Sequence, residues 1–435
     1  FCFWPFFGPF FWLWLFVKHS LPIVHSLYYK PRKLTRILIT LLYSILCSKM
    51  LPGIGLFGTG NLVSVIVPFL REKGFKIEAI WSRTLSEAER VSKELNIPFF
   101  TNKIDDVLLR KDVDLIFIMC SPNLHAQIAV KALGIGKHVV CDKPAGLCQQ
   151  EALKMVRASQ YYPALISILN HSLRFLPAFI HMKKCLQDLY VGPKIHVIDV
   201  RVHMGSLIHT QYDWLCDNTM GGGVITLVGS HVIDLITYLT GERAVRVHSV
   251  VKTFNPNTSA ISGIRNITSP DYCVFQLELT GGALVTVTLN THLAQSTFTQ
   301  EILICGPKGY LVVRNGDLYG FKNGCGKEDV LYLDVEDMNF NSDVIPKPYI
   351  KGLFKMISAL KESFLNIEEN KSGWIKQPVS VASTFDDGLY IQGVIEAIQR
   401  SNLNREWTKV SIITQEPDPN PLLSAAVRRS GITMS

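Results

Sequence analysis

The sequence predicts an α/β protein in which a doubly wound parallel sheet is followed by an α+β domain with mostly antiparallel strands. From Leu51 onward, short apolar runs alternate with longer amphipathic runs, which is the pattern of strands joined by helices. Farther along, Cys273–Leu279 and Leu284–Leu289 flank the turn sequence Thr280-Gly281-Gly282-Ala283, which predicts an antiparallel hairpin. The 435-residue chain is 48% hydrophobic and only 18% charged, so it can bury the cores that two such sheets require.

The elements of the predicted parallel sheet are separated by glycines, polar turns and changes of hydrophobic period. Its strands are predicted at Gly53–Phe57, Ile77–Trp81, Leu115–Met119 and His138–Cys141. Its helices are predicted at Asn61–Gly74, Ser86–Leu95, Leu124–Leu133 and Leu147–Ser159. Ser86 and Glu89 have the spacing of a capping box, which predicts that the second helix begins at Ser86. In the second half, further strands are predicted at Val245–Val251, Ile302–Cys305 and Tyr310–Val313.

Residues 1–49 differ in composition from the rest of the chain, because they hold six of the 44 lysines and arginines and no acidic residue. Phe1–Val17 is shorter than the roughly 20 residues of a transmembrane helix and contains two prolines, and Ile37–Cys47 is shorter still. No stable membrane span is therefore predicted. We interpret the segment as an over-extended gene model that is dispensable for folding, with translation starting at Met50 and a cytoplasmic protein. The alternative is a targeting or anchoring segment of a secreted or extracellular-matrix protein.

The charge and the cysteine content argue against two kinds of site. Beyond residue 49 the chain has 38 basic and 36 acidic residues, a balance of +2, so no basic surface for nucleic acid is predicted. The eight cysteines beyond Met50 include no C-x-x-C pair, and no histidine pair has metal-ligand spacing. We therefore expect free thiols and no metal site.

Glycines after the first predicted strand offer two registers for a phosphate-binding turn. The literal G-x-G-x-x-G match begins at Gly53, whereas Gly58-Thr59-Gly60 directly follows the apolar strand and precedes the helix at Asn61. We favour the second register, because it alone follows an uninterrupted apolar strand. Its first glycine would make the tight turn, and its second would let a pyrophosphate approach the backbone amides of the helix N-terminus. Val63 occupies the third glycine position of the fingerprint, and an ordinary strand-to-helix turn is the alternative.

The end of the second strand favours a phosphorylated dinucleotide. A carboxylate about 20 residues after the glycine turn would accept hydrogen bonds from the ribose hydroxyls of NAD. This chain has Ser82-Arg83-Thr84 at that place instead. Arg83 and two hydroxyl groups can bind a 2′-phosphate, so we expect NADP as the cofactor, with NAD as the second choice. The alternative is an arginine in a solvated turn.

Two motifs at later strand ends resemble motifs of the Gfo/Idh/MocA oxidoreductases. Cys120-Ser121-Pro122-Asn123-Leu124-His125 is similar to the TPN-x-x-H turn of that family. The run from Gly136 to Pro144, GKHVVCDKP, is similar to the family's GKHV-x-x-EKP strand end, with Asp142 in place of glutamate. The two motifs occur in the family's order, after a suitable glycine turn.

The resemblance continues into the second half of the chain and covers about Leu51 to Ile412. Asn170, Arg174-Phe175 and Pro177 resemble the next family signature, and Gly229-x-His231-x-x-Asp234 resembles the motif of the second domain. Short matches elsewhere, such as the Met220–Gly223 run, are similar to the glucose–fructose oxidoreductase domain-containing subgroup of the family.

The resemblance implies the domain organisation. It implies a Rossmann dinucleotide-binding domain at residues 50–170 and a substrate and dimerisation domain at residues 171–412, followed by a tail at 413–435. The second domain would carry an open, mostly antiparallel sheet, with helices at 350–402 packing back. Because family members commonly pair through the open face of that sheet, we expect a homodimer or a higher homo-oligomer.

The resemblance also implies a catalytic pair. In the family, the lysine of the EKP motif hydrogen-bonds the reacting hydroxyl, and an aspartate and a histidine of the second-domain motif complete a proton relay. Lys143 and His231 match the lysine and the histidine, so we predict them to be catalytic. A surface lysine and a core histidine are the alternatives. The family aspartate falls four residues before the histidine, where this chain has Leu227.

These observations predict an NAD(P)-dependent oxidoreductase that transfers a hydride between nicotinamide and a secondary alcohol of a sugar or polyol. The alternative is a catalytically weakened or inactive nucleotide-binding protein that acts as a scaffold, a sensor or an extracellular-matrix component, which the change at Leu227 favours. Asp213 and Trp214 are expected to line the cleft, and Asp234 to fix its helix. The predicted cofactor-binding residues are Gly58, Thr59, Gly60, Asn61, Ser82, Arg83, Thr84, Ser121, Pro122, His125, Asp142 and Lys143.

Overall fold

A computed structural model describes residues 51–208, 212–257, 266–292, 298–336, 345–365 and 379–415. The apolar segments Phe1–Val17 and Ile37–Cys47 lie outside the described residues, and so does the chain beyond residue 415. Two sheets organise the described chain, and each has its own buried apolar core.

The first sheet has seven strands in the order β15-β6-β5-β4-β1-β2-β3. Its first six strands in the chain are parallel neighbours, as expected for strands joined by crossover helices. The strands are β1 Ile54–Phe57, β2 Ile77–Trp81, β3 Phe100–Thr101, β4 Leu115–Ile118, β5 His138–Cys141, β6 Ser167–Leu169 and β15 Ser383–Thr384. The helices between them are α1 Asn61–Glu72, α2 Leu85–Leu95, α3 Ile104–Leu108, α4 His125–Gly134 and α5 Gln149–Tyr161.

The second sheet has nine strands in the order β14-β13-β12-β11-β7-β10-β9-β8-β16, and only the pair β7 and β10 is parallel among the described strands. One face packs against α6 Pro177–Gln187, α7 Ser230–Thr240 and α9 Phe385–Asn404. Side chains alternate between buried and exposed along β7, so the other face is open. The strands are β7 Val197–His203, β8 Ala244–Lys252, β9 Tyr272–Leu279, β10 Leu284–Asn290, β11 Thr299–Gly306, β12 Gly309–Arg314, β13 Asp317–Lys322, β14 Asp329–Tyr332 and β16 Thr408–Lys409.

The fold class is thus confirmed: a doubly wound parallel sheet is followed by an open, mostly antiparallel one. The chain returns to the first sheet near its end. Helix α8, Lys347–Leu365, packs against α1, and Phe354 stacks on Phe69 with 3.8 Å between ring centroids. β15 then pairs antiparallel with β6. The segment 50–170 therefore lacks one strand of its sheet, because Ser383–Thr384 supplies it from far along the chain.

The start of the second helix differs from the sequence prediction. The second helix begins at Leu85 behind Thr84, and no side chain caps it. The predicted capping box at Ser86 is therefore wrong, since both of its residues lie inside the helix, where Glu89 pairs with Lys93 instead.

Among the described residues, one helical stretch, Asn218–Thr240, is long and apolar enough to cross a membrane. Of its most apolar part, 83% is buried inside the protein, as in the core helix of a globular domain.

Candidate active site

A cleft of about 650 Å³ opens at the carboxyl ends of β1, β2, β4 and β5, where open α/β sheets bind their ligands. The opposite wall is formed by residues that follow β7 in the chain, including Met204, Trp214 and Leu227. Asp213 also lines the cleft, and its carboxylate accepts a hydrogen bond from the Leu215 amide. The predicted site residues that line it are Gly58, Thr59, Gly60, Asn61, Ser82, Arg83, Ser121, Asp142, Lys143 and His231.

Three predicted cofactor-binding residues do not line the cleft. Thr84 lies behind it, at the start of α2. Pro122 is buried in a short 3₁₀ turn, where its ring packs against the turn at Gly221. His125 is fully buried, and its two ring nitrogens lie 2.9 Å from the carbonyl oxygens of Cys120 and Pro144. His125 therefore joins two strand-end turns and shapes the cleft from behind, because its side chain has no free surface for a ligand.

The glycine turn presents the N-terminus of α1 to the cleft. Gly58 has a φ of +129°, and a Cβ added there would lie 2.5 Å from the Met119 carbonyl oxygen, so only glycine fits. A Cβ added at Gly60 would meet no atom within 4 Å, which leaves open space directly before the helix. Val63, at the third fingerprint position, is fully buried on the side of α1 that packs against the sheet. The departure from glycine is therefore accommodated by packing and leaves the ligand side unchanged.

The end of β2 carries polar groups from two elements. The Thr59 and Ser82 hydroxyl oxygens lie 3.4 Å apart, and the exposed Arg83 side chain lines the same part of the cleft. Sequence reasoning missed two further charges here, because Glu87 and Arg90 of α2 also line the cleft. Their side chains form an ion pair of 2.6 Å, and the hydrogen bonds from Arg90 lower the pKa of Glu87. Since the Arg90 guanidinium is already paired with Glu87 and Glu94, Arg83 is better placed than Arg90 to meet an added phosphate.

Lys143, after β5, connects the two walls of the cleft. It is partly buried, and its Nζ donates a hydrogen bond of 3.0 Å to the Leu227 carbonyl oxygen. Burial lowers the pKa of Lys143, and the neighbouring Asp142 carboxylate partly opposes this. Asn170 in turn donates to Asp142, with 3.1 Å between the atoms. The position of the missing family aspartate therefore still contacts the lysine, but through a backbone oxygen that carries no full charge.

His231 lies one turn beyond Leu227, just after a π-helical segment at Ile225–Gly229. Such segments are frequent at functional sites. The His231 ring is 4% exposed, and its Nδ1 has no hydrogen-bond partner among the described residues. Burial, followed by the charges of Lys143 and His171, holds the pKa of His231 well below its usual range. The ring is therefore neutral at pH 7 and has a free nitrogen lone pair, as a general base requires.

A buried network behind His231 was not predicted. His171 contacts the His231 ring edge to face, with 5.5 Å between centroids. Its Nδ1 lies 3.0 Å from the Ser383 hydroxyl and 3.7 Å from an Asp234 oxygen. Arg174 donates two hydrogen bonds to Asp234, at 2.8 and 2.6 Å. These bonds fix the helix that carries Asp234, as the sequence predicts. The sequence signal for His171 is its place between Asn170 and Arg174-Phe175 in the family signature.

Tyr349 of α8 completes the wall around His231, with 4.7 Å between ring centroids. It is partly buried, and burial raises the pKa of its hydroxyl, so it stays protonated. Cys120 also lines the cleft, where burial raises the pKa of its thiol to about 12, which leaves no thiolate nucleophile. No three His, Cys, Asp or Glu side chains in the described part of the chain group as metal ligands. The chemistry of the cleft therefore centres on a lysine and a histidine.

The fold and the cleft define a protein with a Rossmann-type parallel sheet and a second, mostly antiparallel sheet, in which one cleft contains a glycine turn, a lysine and a histidine. The chain belongs to the Gfo/Idh/MocA oxidoreductase family. The family model described as "Oxidoreductase family, NAD-binding Rossmann fold" matches residues 53–168, and the "GFO/IDH/MocA C-terminal domain" model matches residues 179–312. The resemblance predicted from the strand-end motifs is confirmed.

Individual proteins agree with this assignment. Glucose-fructose oxidoreductase domain-containing protein 2 of Homo sapiens is 44% identical over 389 residues, which cover 88% of this chain and 100% of the relative. Levoglucosan dehydrogenase in complex with NADH and L-sorbose superposes with a TM-score of 0.70 at 19% identity, covering 84% of this chain and 100% of that chain. A super-repressor mutant of Gal80p from Saccharomyces cerevisiae superposes with a TM-score of 0.66 at 17% identity, covering 83% and 98%. The last two likenesses show a shared fold.

Proposed function

We propose that the protein is an NAD(P)-dependent oxidoreductase that transfers a hydride between nicotinamide and a secondary alcohol of a sugar or polyol. One observation carries this proposal: Lys143 and His231, from opposite walls, face one cleft that continues to the glycine turn. A solved dehydrogenase of the same fold binds NADH and L-sorbose, which supports this class of cofactor and substrate.

The residues of the cleft fit a dinucleotide. The open space at Gly60 and the amides at the start of α1 suit a pyrophosphate, because a helix N-terminus carries partial positive charge. Ser82 and Arg83 would hold the adenosine ribose with its phosphate, and Ser121 and Asp142 would flank the nicotinamide half. Bound nicotinamide supplies the hydride acceptor or donor.

The chain's own residues manage the proton. Neutral His231 accepts the hydroxyl proton of the alcohol, and Lys143 hydrogen-bonds the same oxygen as negative charge develops on it. Burial of both side chains excludes water and strengthens these interactions. Trp214 lines the cleft and could pack against the apolar side of a sugar ring.

The cofactor preference gives the first prediction. We expect the full chain to bind NADPH more tightly than NADH, and Arg83→Ala to weaken NADPH binding about 10- to 150-fold, since a charged hydrogen bond contributes about 1.5–3 kcal/mol. NADH binding should barely change. Calorimetric Kd values for both cofactors check this, with Arg400→Ala, an exposed arginine of α9 outside the cleft, as the control. Equal affinities in the unmutated protein would contradict the NADP preference.

A second candidate function follows from Leu227. Without the family carboxylate, Lys143 has a backbone oxygen as its partner, so proton transfer has less electrostatic support. The fold also occurs in Gal80p, of which a super-repressor mutant has been solved. The alternative is therefore a protein that binds the dinucleotide without turnover and acts as a scaffold or a sensor.

Restoring the carboxylate distinguishes the two functions. Leu227→Asp should raise turnover about 10-fold or more, because a positioned charged group supports proton transfer. It should also cost about 1–3 kcal/mol of stability, since Leu227 is half-buried against the core. Leu227→Asn, of the same shape but uncharged, is the control. If a panel of sugars and polyols yields no reduced cofactor with the parent or with Leu227→Asp, while NADP still binds, the enzymatic function is wrong.

Self-association through the open face of the second sheet belongs to the same proposal. Val197 and Leu284 are paired across β7 and β10 and are 44% and 53% exposed on that face. Adjacent exposed apolar side chains are typical of a covered surface. A homodimer is the simplest assembly that would cover them.

A further inference from the structure

We propose that His171, held by Asp234, is the positioning residue of His231 and takes the place of the carboxylate that the chain lacks at Leu227. The inference rests on the proposed function for its catalytic meaning. It concerns a residue with no contact to the cleft, since His171 is 1% exposed and lies behind His231.

The hydrogen bonds around His171 assign its tautomer. Its Nδ1 faces the Ser383 hydroxyl at 3.0 Å and the Asp234 carboxylate at 3.7 Å. The nearby carboxylate charge favours the proton on Nδ1, and Nδ1–H then donates to the Ser383 hydroxyl oxygen. The Nε2 atom of His171 is then the acceptor, and it is buried without a partner among the described residues.

His231 has the complementary atom. Its Nδ1 is likewise buried and unpartnered among the described residues, and the rings meet at 89° with centroids 5.5 Å apart. A hydrogen bond from His231 Nδ1–H to His171 Nε2 would satisfy both buried nitrogens. Because one ring nitrogen of a neutral histidine carries the proton, this bond leaves His231 Nε2 as the free base.

The result is a chain in which each group fixes the next: the Asp234 charge favours the proton on His171 Nδ1, which donates to the Ser383 hydroxyl oxygen, and His171 Nε2 accepts from His231 Nδ1–H. When the alcohol gives its hydride to oxidised nicotinamide, its hydroxyl proton passes to His231 Nε2. The imidazolium that forms keeps its Nδ1–H bond to His171, which stabilises the charge. His171 itself gains and loses no proton.

Several charged or titratable groups surround this pair and bear on its pH behaviour. Burial lowers the pKa of His171, and the Asp234 charge partly opposes this, so His171 is a neutral acceptor at pH 7. The surrounding groups are Lys143, Asp142 and Tyr349 near His231, and Asp234, Arg174 and Asp387 near His171.

The test is the tautomer of His231 in the cofactor-free full chain, read by NMR of ¹⁵N-labelled histidine. We expect the parent to show His231 as Nδ1–H, although free histidine side chains favour Nε2–H. His171→Leu should convert it to Nε2–H, and His171→Gln, whose amide can donate to Asp234 and accept from His231, should restore Nδ1–H. His181→Leu, an exposed histidine of α6, is the control and should leave the signal unchanged.

Activity provides the second readout. His171→Leu should lower kcat at least about tenfold, part of the 10²- to 10⁴-fold that a positioned base contributes, with both KM values nearly unchanged. His171→Gln should restore kcat. Nε2–H in the parent, or the same tautomer in parent and His171→Leu, would overturn the proposal. Nδ1–H in the parent and its loss in His171→Leu, without turnover in any protein, would support the pairing and count against the proposed function alone.

Discussion

Lys143→Met is expected to lower kcat by about 100-fold or more, which is the usual size of a lost proton-transfer group. Methionine keeps the length and the burial of the side chain but cannot donate to the reacting oxygen or to the Leu227 carbonyl. The measurement is steady-state turnover of the best alcohol in a panel, followed by cofactor absorbance. Lys154→Met, an exposed lysine of α5 outside the cleft, is the control and should keep full activity.

His231→Ala should have an effect on kcat of the same size, because it removes the base itself. Its cofactor Kd should barely change, since the glycine turn and Arg83 hold the other end of the dinucleotide. A His231→Ala protein that retains most of its turnover would show that the ring is a core histidine. In that case Lys143, whose pKa burial lowers, would have to act as the base instead.

Asp234→Ala is expected to cost about 3–5 kcal/mol of unfolding free energy, the usual cost of removing one partner of a buried ion pair. The substitution leaves the Arg174 guanidinium inside the protein without its two hydrogen bonds of 2.6 and 2.8 Å. Asp234 itself is 1% exposed. Chemical denaturation of the full chain, followed by fluorescence, measures the loss.

Asp105→Ala provides the matched control for this measurement. Its carboxylate pairs with Lys131 at 2.9 Å, but both side chains are about half exposed. Such surface pairs contribute about 0–1 kcal/mol, because water screens them. If the two variants lost the same free energy, the buried network behind His231 would not stabilise the fold as described.

The long elements of the fold could be predicted because their signals are local. Ile77–Trp81 and His138–Cys141 were predicted with the bounds that the structure shows, since both are apolar runs that end at polar turns. The two-residue strands Phe100–Thr101 and Ser383–Thr384 have no period to detect, and they form only because longer strands lie beside them. Apolar and polar residues alternate along most of β7, Val197–His203, so a strand could also have been predicted there.

The candidate site likewise contains residues that local patterns predict and residues that they do not. Lys143 follows a strand end, and parallel strands bring their carboxyl ends to one edge, so its place in the cleft could be predicted. His231 came from the family motif, and its role stays a prediction. His171 meets His231 from the turn after β6, and its place in the family signature was the signal for it. Tyr349 meets His231 only because α8, more than 100 residues farther along the chain, packs back. No local pattern signals such a contact.

Thr84 and His125 show that a motif does not predict which side chains of a turn reach the cleft. Both belong to turns that the sequence placed correctly at strand ends. The chain direction at each turn then decides which side chain reaches the cleft: Thr84 lies behind it, and His125 bonds two backbone carbonyls inside the protein. A motif thus locates a turn, whereas the direction of its side chains follows from the packing around it.

The central claim is that the cleft binds a nicotinamide dinucleotide across the glycine turn, and calorimetric titration of the full chain with NADPH and NADH tests it most directly. The account predicts saturable binding of one dinucleotide per chain, with NADPH roughly 10- to 150-fold tighter than NADH, as expected for one charged phosphate contact. Absence of saturable binding for both cofactors up to about 1 mM, a limit of weak affinity near −4 kcal/mol, would contradict it.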